Sequence, residues 1–180
     1  MNYNVLVRDI SVETFILSGK INDKKLIEDL KSTVKEKTKS STLNYKTNVK
    51  GLFTGFDSLI NDKYFIKFLE LIKNEIKVIY NAPFIIKDAW GNICKENDEV
   101  LVHDHIETSA FCSILYLTDG GPGTYFSNYD LNVDEEIGKF VLFSPMLKHK
   151  VNKLDKNIER ITIAFNADQK KFWNNYENKV

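Results

Sequence analysis

The chain carries three histidines, His103, His105 and His149, at a spacing that suits a metal ion. Neutral imidazole is the commonest metal-binding side chain. On a β-strand, residues i and i+2 share a face, so His103-Asp104-His105 would present two imidazoles together. His149 follows His105 by 44 residues, in the next strand-like segment after a turn at Gly138. An antiparallel sheet can bring such strand ends together. Three protein ligands with open positions are the pattern of a catalytic metal site. The bland alternative is a surface H-x-H and an ordinary loop histidine. A rival ligand frame is His105-Ile106-Glu107, because Glu107 has the parity of both histidines. Asp104 has the opposite parity and is expected to point away.

Arg160 stands 11 residues after His149, at the start of RITIAFN. Arg160 and Thr162 share a strand face, and Ile161, Ile163 and Phe165 share the other. A guanidinium fork beside a hydroxyl suits a carboxylate. Asn92, Asn166, Tyr116 and Tyr125 lie on strand-like segments and could reach a ligand, or close edge hydrogen bonds and fill the core. Trp90 is expected in the core, Cys94 and Cys112 as small buried hydrophobes, and DGGPG (119–123) as a hairpin turn.

Positioning these groups requires strands, and the second half of the sequence supplies them. Residues 83–93, 99–105, 111–118, 124–128, 139–144, 149–153 and 160–166 are short strand candidates separated by turn residues, the signature of a sandwich or barrel. The first half is helical. Leu26, Ile27, Leu30 and Val34 recur at 3–4 spacing after Asn22-Asp23. A second helix is expected from Asp57 to Ile79, with Tyr64, Phe65, Phe68, Leu69, Ile72 and Ile76 on its buried face. Residues 4–21 read as strands, 37–48 as a loop and 168–178 as a closing helix.

At 180 residues, one unit spanning 1–180 is expected, with helical support over about 22–80 and a β core over about 83–167. Lys+Arg and Asp+Glu are both 25, which argues against nucleic-acid or membrane-surface binding by bulk charge. No apolar run approaches the roughly 20 residues that cross a bilayer. The first residues show no secretory signal pattern. Two cysteines make no disulfide framework, so a reducing, cytoplasmic setting is expected.

In chain order, Trp90-Gly91-Asn92, His103-Asp104-His105, SILYL (113–117), GTYF (123–126), FSPMLKH (143–149) and RITIAFN (160–166) together resemble the 2-oxoglutarate- and iron(II)-dependent dioxygenases. They are more closely similar to a subfamily from bacteria and tailed phages with W-x-N, H-x-H, a distal histidine and R-x-S/T. TNVKG (47–51) is similar to an upstream segment of that group, and the likeness covers roughly residues 45–167. The resemblance implies a mainly β fold with flanking helices, a double-stranded β-helix or jelly-roll with the N-terminal helices packed on one sheet. It implies Fe(II) on His103, His105 and His149, with Glu107 as the alternative carboxylate. It implies 2-oxoglutarate held through its far carboxylate by Arg160 and Thr162, with Asn92 and Tyr116 nearby. The reaction implied is hydroxylation of an unknown substrate by O2, with decarboxylation of 2-oxoglutarate to succinate, in a bacterial or phage-infected cytoplasm. His105 stands where the larger family has Asp or Glu, a departure from the usual 2-His-1-carboxylate iron site. Three neutral imidazoles leave the full charge on the metal, and bound 2-oxoglutarate would balance it. Two other readings stay open: a zinc or iron jelly-roll enzyme without 2-oxoglutarate, and a non-catalytic jelly-roll binding protein.

Overall fold

A computed structural model describes residues 14–40, 47–79 and 83–169. Helix α1 (Lys24–Ser40) starts where Asp23 Oδ1 accepts the Leu26 N–H at 2.9 Å, an N-cap. Its apolar stripe, Leu26, Ile27, Leu30 and Val34, is buried as expected. The helix runs further than expected, into the polar stretch read as a loop. Thr38 is buried there and bonds back to the Val34 carbonyl at 3.0 Å. Residues 41–46 of that stretch lie outside the described residues. Helix α2 (Lys63–Ile79) begins later than Asp57, because the residue that caps it is Asp62. The Asp62 carboxylate takes the N–H groups of Tyr64 and Phe65 at 2.9 and 3.1 Å, and residues 57–61 form turns.

Ten strands form two antiparallel sheets among the described residues. The larger sheet has the order β1 (Ile16–Lys20), β8 (Lys139–Phe143), β5 (Phe111–Tyr116), β10 (Arg160–Gln169), β3 (Phe84–Cys94), β2 (Leu52–Phe53). The smaller has the order β4 (Val100–His103), β9 (His149–Val151), β6 (Thr124–Phe126), β7 (Leu131–Val133). From β3 to β10 the chain crosses between sheets at every step except the β6–β7 hairpin, which is the winding of a double-stranded β-helix. β2 and β7 were not expected, since two or three residues are too few to show alternation. The expected strand at 4–21 is seen as β1, and its part before Thr14 lies outside the described residues. Asp168 and Gln169 are not helical but pair with Ile85 and Phe84 as the end of β10; residues 170–178 lie outside the described residues.

Alternation along β10 divides its two faces. Ile161, Ile163, Phe165 and Ala167 join the α1 and α2 stripes in the main core, so both helices cover one face of the larger sheet. Gly91 of β3 allows this close approach, because a Cβ there would sit 2.6 Å from both Val34 methyls. The opposite face turns Cys112, Ile114, Tyr116, Val141 and Phe143 toward Phe126 of the smaller sheet and Leu147. DGGPG is not a hairpin turn. It carries the chain from β5 in one sheet to β6 in the other, with Gly120 and Gly123 at φ +80° and +72°. Among the described residues no helix is long and apolar enough to cross a membrane.

Candidate active site

The three histidines converge at the smaller sheet. His103 ends β4 and His149 begins β9, and the two are direct cross-strand partners with ring centroids 4.2 Å apart. His105 does not share their strand, since β4 stops at His103 and the i, i+2 argument does not apply to it. It lies beyond the strand end, in a stretch without regular structure, and turns back toward the pair. Its N–H bonds the Pro145 carbonyl at 2.9 Å and its ring lies 5.0 Å from that of His103. The ligand-capable atoms of the three residues all lie within 4.8 Å of one another. Glu107 is exposed on the turn after His105, outside this cluster. Asp104, also free of strand parity, lines the cavity rather than pointing away.

Two imidazoles are oriented by backbone. His103 Nδ1 lies 2.8 Å from the Leu101 carbonyl and His149 Nδ1 lies 2.9 Å from the Leu147 carbonyl. A carbonyl only accepts, so each Nδ1 carries the proton and each Nε2 keeps its lone pair for a metal. Burial pushes all three pKa values down, with repulsion from His103 adding at the other two. His149, 5% exposed, falls to about 3 and His105 to about 4. The cluster is therefore neutral at pH 7, the form a metal requires.

The imidazoles border a cavity of about 440 Å³ between the sheets. Across it, the inward face of the larger sheet presents ordered rows. Asn92 pairs with Thr162, Trp90 with Ala164, and Asp88 with Asn166. Arg160 closes the polar end. It is 2% exposed, with Nη1 and Nη2 donating to the Thr162 and Thr124 hydroxyls at 3.4 Å each. Tyr116 does not line the cavity. Its ring lies under the guanidinium at 5.3 Å and its hydroxyl donates to Thr124 at 2.7 Å. Asn92, 6% exposed, lines the cavity, and its Oδ1 has no hydrogen-bond partner among the described residues. Asn166 donates to Asp88 at 3.3 Å, at a bulge that leaves Lys87 without a register partner and lets Lys87 and Asp88 both reach the cavity. Trp90 is buried, as expected, at 8% exposure, and also forms cavity wall, packed edge-on against Phe53 and Phe56. Tyr125 lies away from the cavity, its hydroxyl on Asp130. Cys94 and Cys112 are buried free thiols, as expected, and burial raises both pKa values, that of Cys94 to about 11.

Sequence reasoning missed two members of the arginine's surroundings, Thr124 and Glu135. The Glu135 side chain is fully buried, with Oε2 3.6 Å from Arg160 Nε. VDEEIG looks like a solvated polar turn, so nothing local marks this carboxylate as buried.

No protein-family model matches the sequence, and no curated protein does. Solved structures do match in fold. A viral collagen prolyl hydroxylase from Paramecium bursaria Chlorella virus-1, solved as a 2-oxoglutarate complex, is similar at TM-score 0.65 and 13% identity, over 86% of this chain and 94% of that one. A prolyl-4-hydroxylase from Pseudomonas putida is similar at 0.65 and 13%, over 86% and 92%. HygX from Streptomyces hygroscopicus, solved with nickel and 2-oxoglutarate, is similar at 0.63 and 12%, over 87% and 82%.

Proposed function

We propose that this protein is a 2-oxoglutarate- and iron(II)-dependent oxygenase that hydroxylates a substrate at the Trp90 side of the cavity. The observation that carries the reading is the meeting of three neutral imidazoles and a buried arginine in one cavity, on the fold of enzymes solved with 2-oxoglutarate. The residues fit the absent groups. Imidazole nitrogens suit a borderline divalent ion, and a buried guanidinium flanked by two hydroxyls suits a carboxylate.

His103, His105 and His149 would hold the metal, His105 taking the place of a carboxylate. When bound, iron and 2-oxoglutarate together supply the activation of O2 that oxidises a substrate C–H bond while 2-oxoglutarate becomes succinate. Arg160, Thr124 and Thr162 bind the far carboxylate and so turn the 2-oxo acid end toward the imidazoles. Ile114, Phe143, Val151 and Ala164 give the cavity apolar wall, which limits water. Asn92 Oδ1 offers an acceptor to whatever donor enters. Phe53, Phe56 and Trp90 receive the apolar part of the substrate, whose placement decides which C–H reacts.

Anaerobic titration of the metal-free protein with Fe(II) and 2-oxoglutarate tests the reading. The weak visible charge-transfer band of the chelate is expected in the parent and absent in Arg160→Ala and His149→Ala. Metal affinity unchanged in His149→Ala would sink the proposal. Tight zinc binding with no 2-oxoglutarate affinity would favour a hydrolytic metal enzyme instead.

A further inference from the structure

Arg160 is not held by the cavity alone. Its Nε edge faces away from the hydroxyls of Thr124 and Thr162, toward Glu135 Oε2 at 3.6 Å. Among the described residues neither Nε nor Oε2 makes a full hydrogen bond, and the two charges face each other across this gap, with the Gly121 backbone N–H also favouring the carboxylate. Glu135 does not line the cavity and cannot touch a ligand there. It is itself fastened. Its Oε1 accepts from Thr118 Oγ1 at 2.6 Å, and Thr118 Oγ1 in turn accepts the Ile161 N–H at 2.8 Å, next to Arg160 in β10. Gly121 in the sheet-crossing loop leaves room for it, since a Cβ there would sit 2.0 Å from Oε2. The carboxylate is thus braced by Thr118 and Gly121 of the segment that leaves β5, and through Thr118 by β10, with the arginine between it and the cavity.

We propose that Glu135 is a positioning residue that holds the Arg160 guanidinium with its Nη groups toward the cavity, and thereby sets preference for an acid with a second carboxylate. The inference rests on the reading of Arg160 as the anchor of 2-oxoglutarate. An arginine side chain has several rotatable bonds, and loss of its Nε partner frees it to turn and leaves a buried charge uncompensated. The seat for the far carboxylate is then lost while the metal end stays intact.

The test compares 2-oxoglutarate with 2-oxovalerate, which carries a methyl in place of the far carboxylate, by anaerobic titration of the Fe(II) protein. The ratio of the two dissociation constants is the readout. In Glu135→Ala the ratio is expected to fall at least about tenfold toward unity, with 2-oxovalerate affinity unchanged. Glu135→Gln keeps the shape of the side chain but removes the charge that faces Nε, and is expected to lower the ratio in the same direction. Gly121→Ala, which displaces Oε2 without touching Glu135's chemistry, should reproduce the loss and keeps the test open if Glu135→Ala fails to fold. A parental ratio in Glu135→Ala or in Gly121→Ala overturns the proposal, as does equal loss of affinity for both acids, which marks general damage. Arg160→Met separates the two levels. If it leaves the ratio unchanged, the anchor reading itself fails. If it abolishes the ratio while Glu135→Ala does not, only the role of Glu135 falls.

Discussion

Burial decides the charge of the imidazoles, and the charge decides what they bind. His149 titrates near 3 in the folded protein and near the ordinary 6.5 when unfolded. Below pH 6.5 the unfolded chain therefore takes a proton that the native state refuses. Stability from this group is fully present above pH 6.5 and declines as pH falls toward 3, by up to about 1.4 kcal/mol per pH unit. Chemical denaturation of the metal-free protein between pH 7 and pH 4 should show this slope, and His149→Leu should show less of it. A wild-type slope in the variant would contradict the assignment. At the same scale, His149→Ala removes one of three donors, and its affinity for Ni(II) or Co(II) by calorimetry should fall by about 100-fold, the upper end of effects seen even for lost outer-shell partners. Arg160→Ala should leave that affinity near parental, since the guanidinium belongs to the larger sheet and offers the metal no ligand atom.

Strands position the site, and the helices behind them set how those strands lie. Gly91 stands between two cavity residues, Trp90 and Asn92, but itself faces α1. Adding one methyl there drives a Cβ into both Val34 methyls. Gly91→Ala should destabilise by about 1–3 kcal/mol through overpacking, and Val34→Ala in the same chain should recover part of it. The double-mutant cycle measures that coupling. Additive losses would mean that α1 does not rest on β3 as described. The helix starts were partly legible for the same kind of reason. Asp23 could be read as a cap because its stripe begins at once, whereas Asp57 and Asp62 look alike in sequence and only hydrogen bonding selects Asp62.

Two sheets come together with opposite equipment, His103 and His149 on the smaller and the arginine on the larger, with His105 just beyond the end of β4. Phe126 is fully buried between them, its ring 5.1 Å from Phe143, and Phe143 lies 4.8 Å from His149. Phe126→Ala should cost about 3–5 kcal/mol and should also weaken metal binding, because the cavity it opens adjoins the His149 ring. Divalent metal should stabilise the parent, by about 2.7 kcal/mol at a concentration 100 times its dissociation constant. Thermal unfolding with and without chelator measures both effects, and parental metal stabilisation in Phe126→Ala would show the two sheets to be less coupled than drawn.

Much of this was written in the order of residues. Apolar spacing alone marked α1, α2 and most strands, because a buried face must repeat at 3.6 or 2 residues to stay buried. Three histidines and an arginine were visible as candidates because few residue types can hold a metal or fork a carboxylate. What the order could not contain was distance. His105 joins His103 from beyond the end of the strand, Trp90 walls the cavity as well as being buried, and Glu135 lies buried behind Arg160 although its neighbours read as solvated. Each of these depends on which segments fold over which, and long-range pairing leaves no periodic trace in the segments it joins.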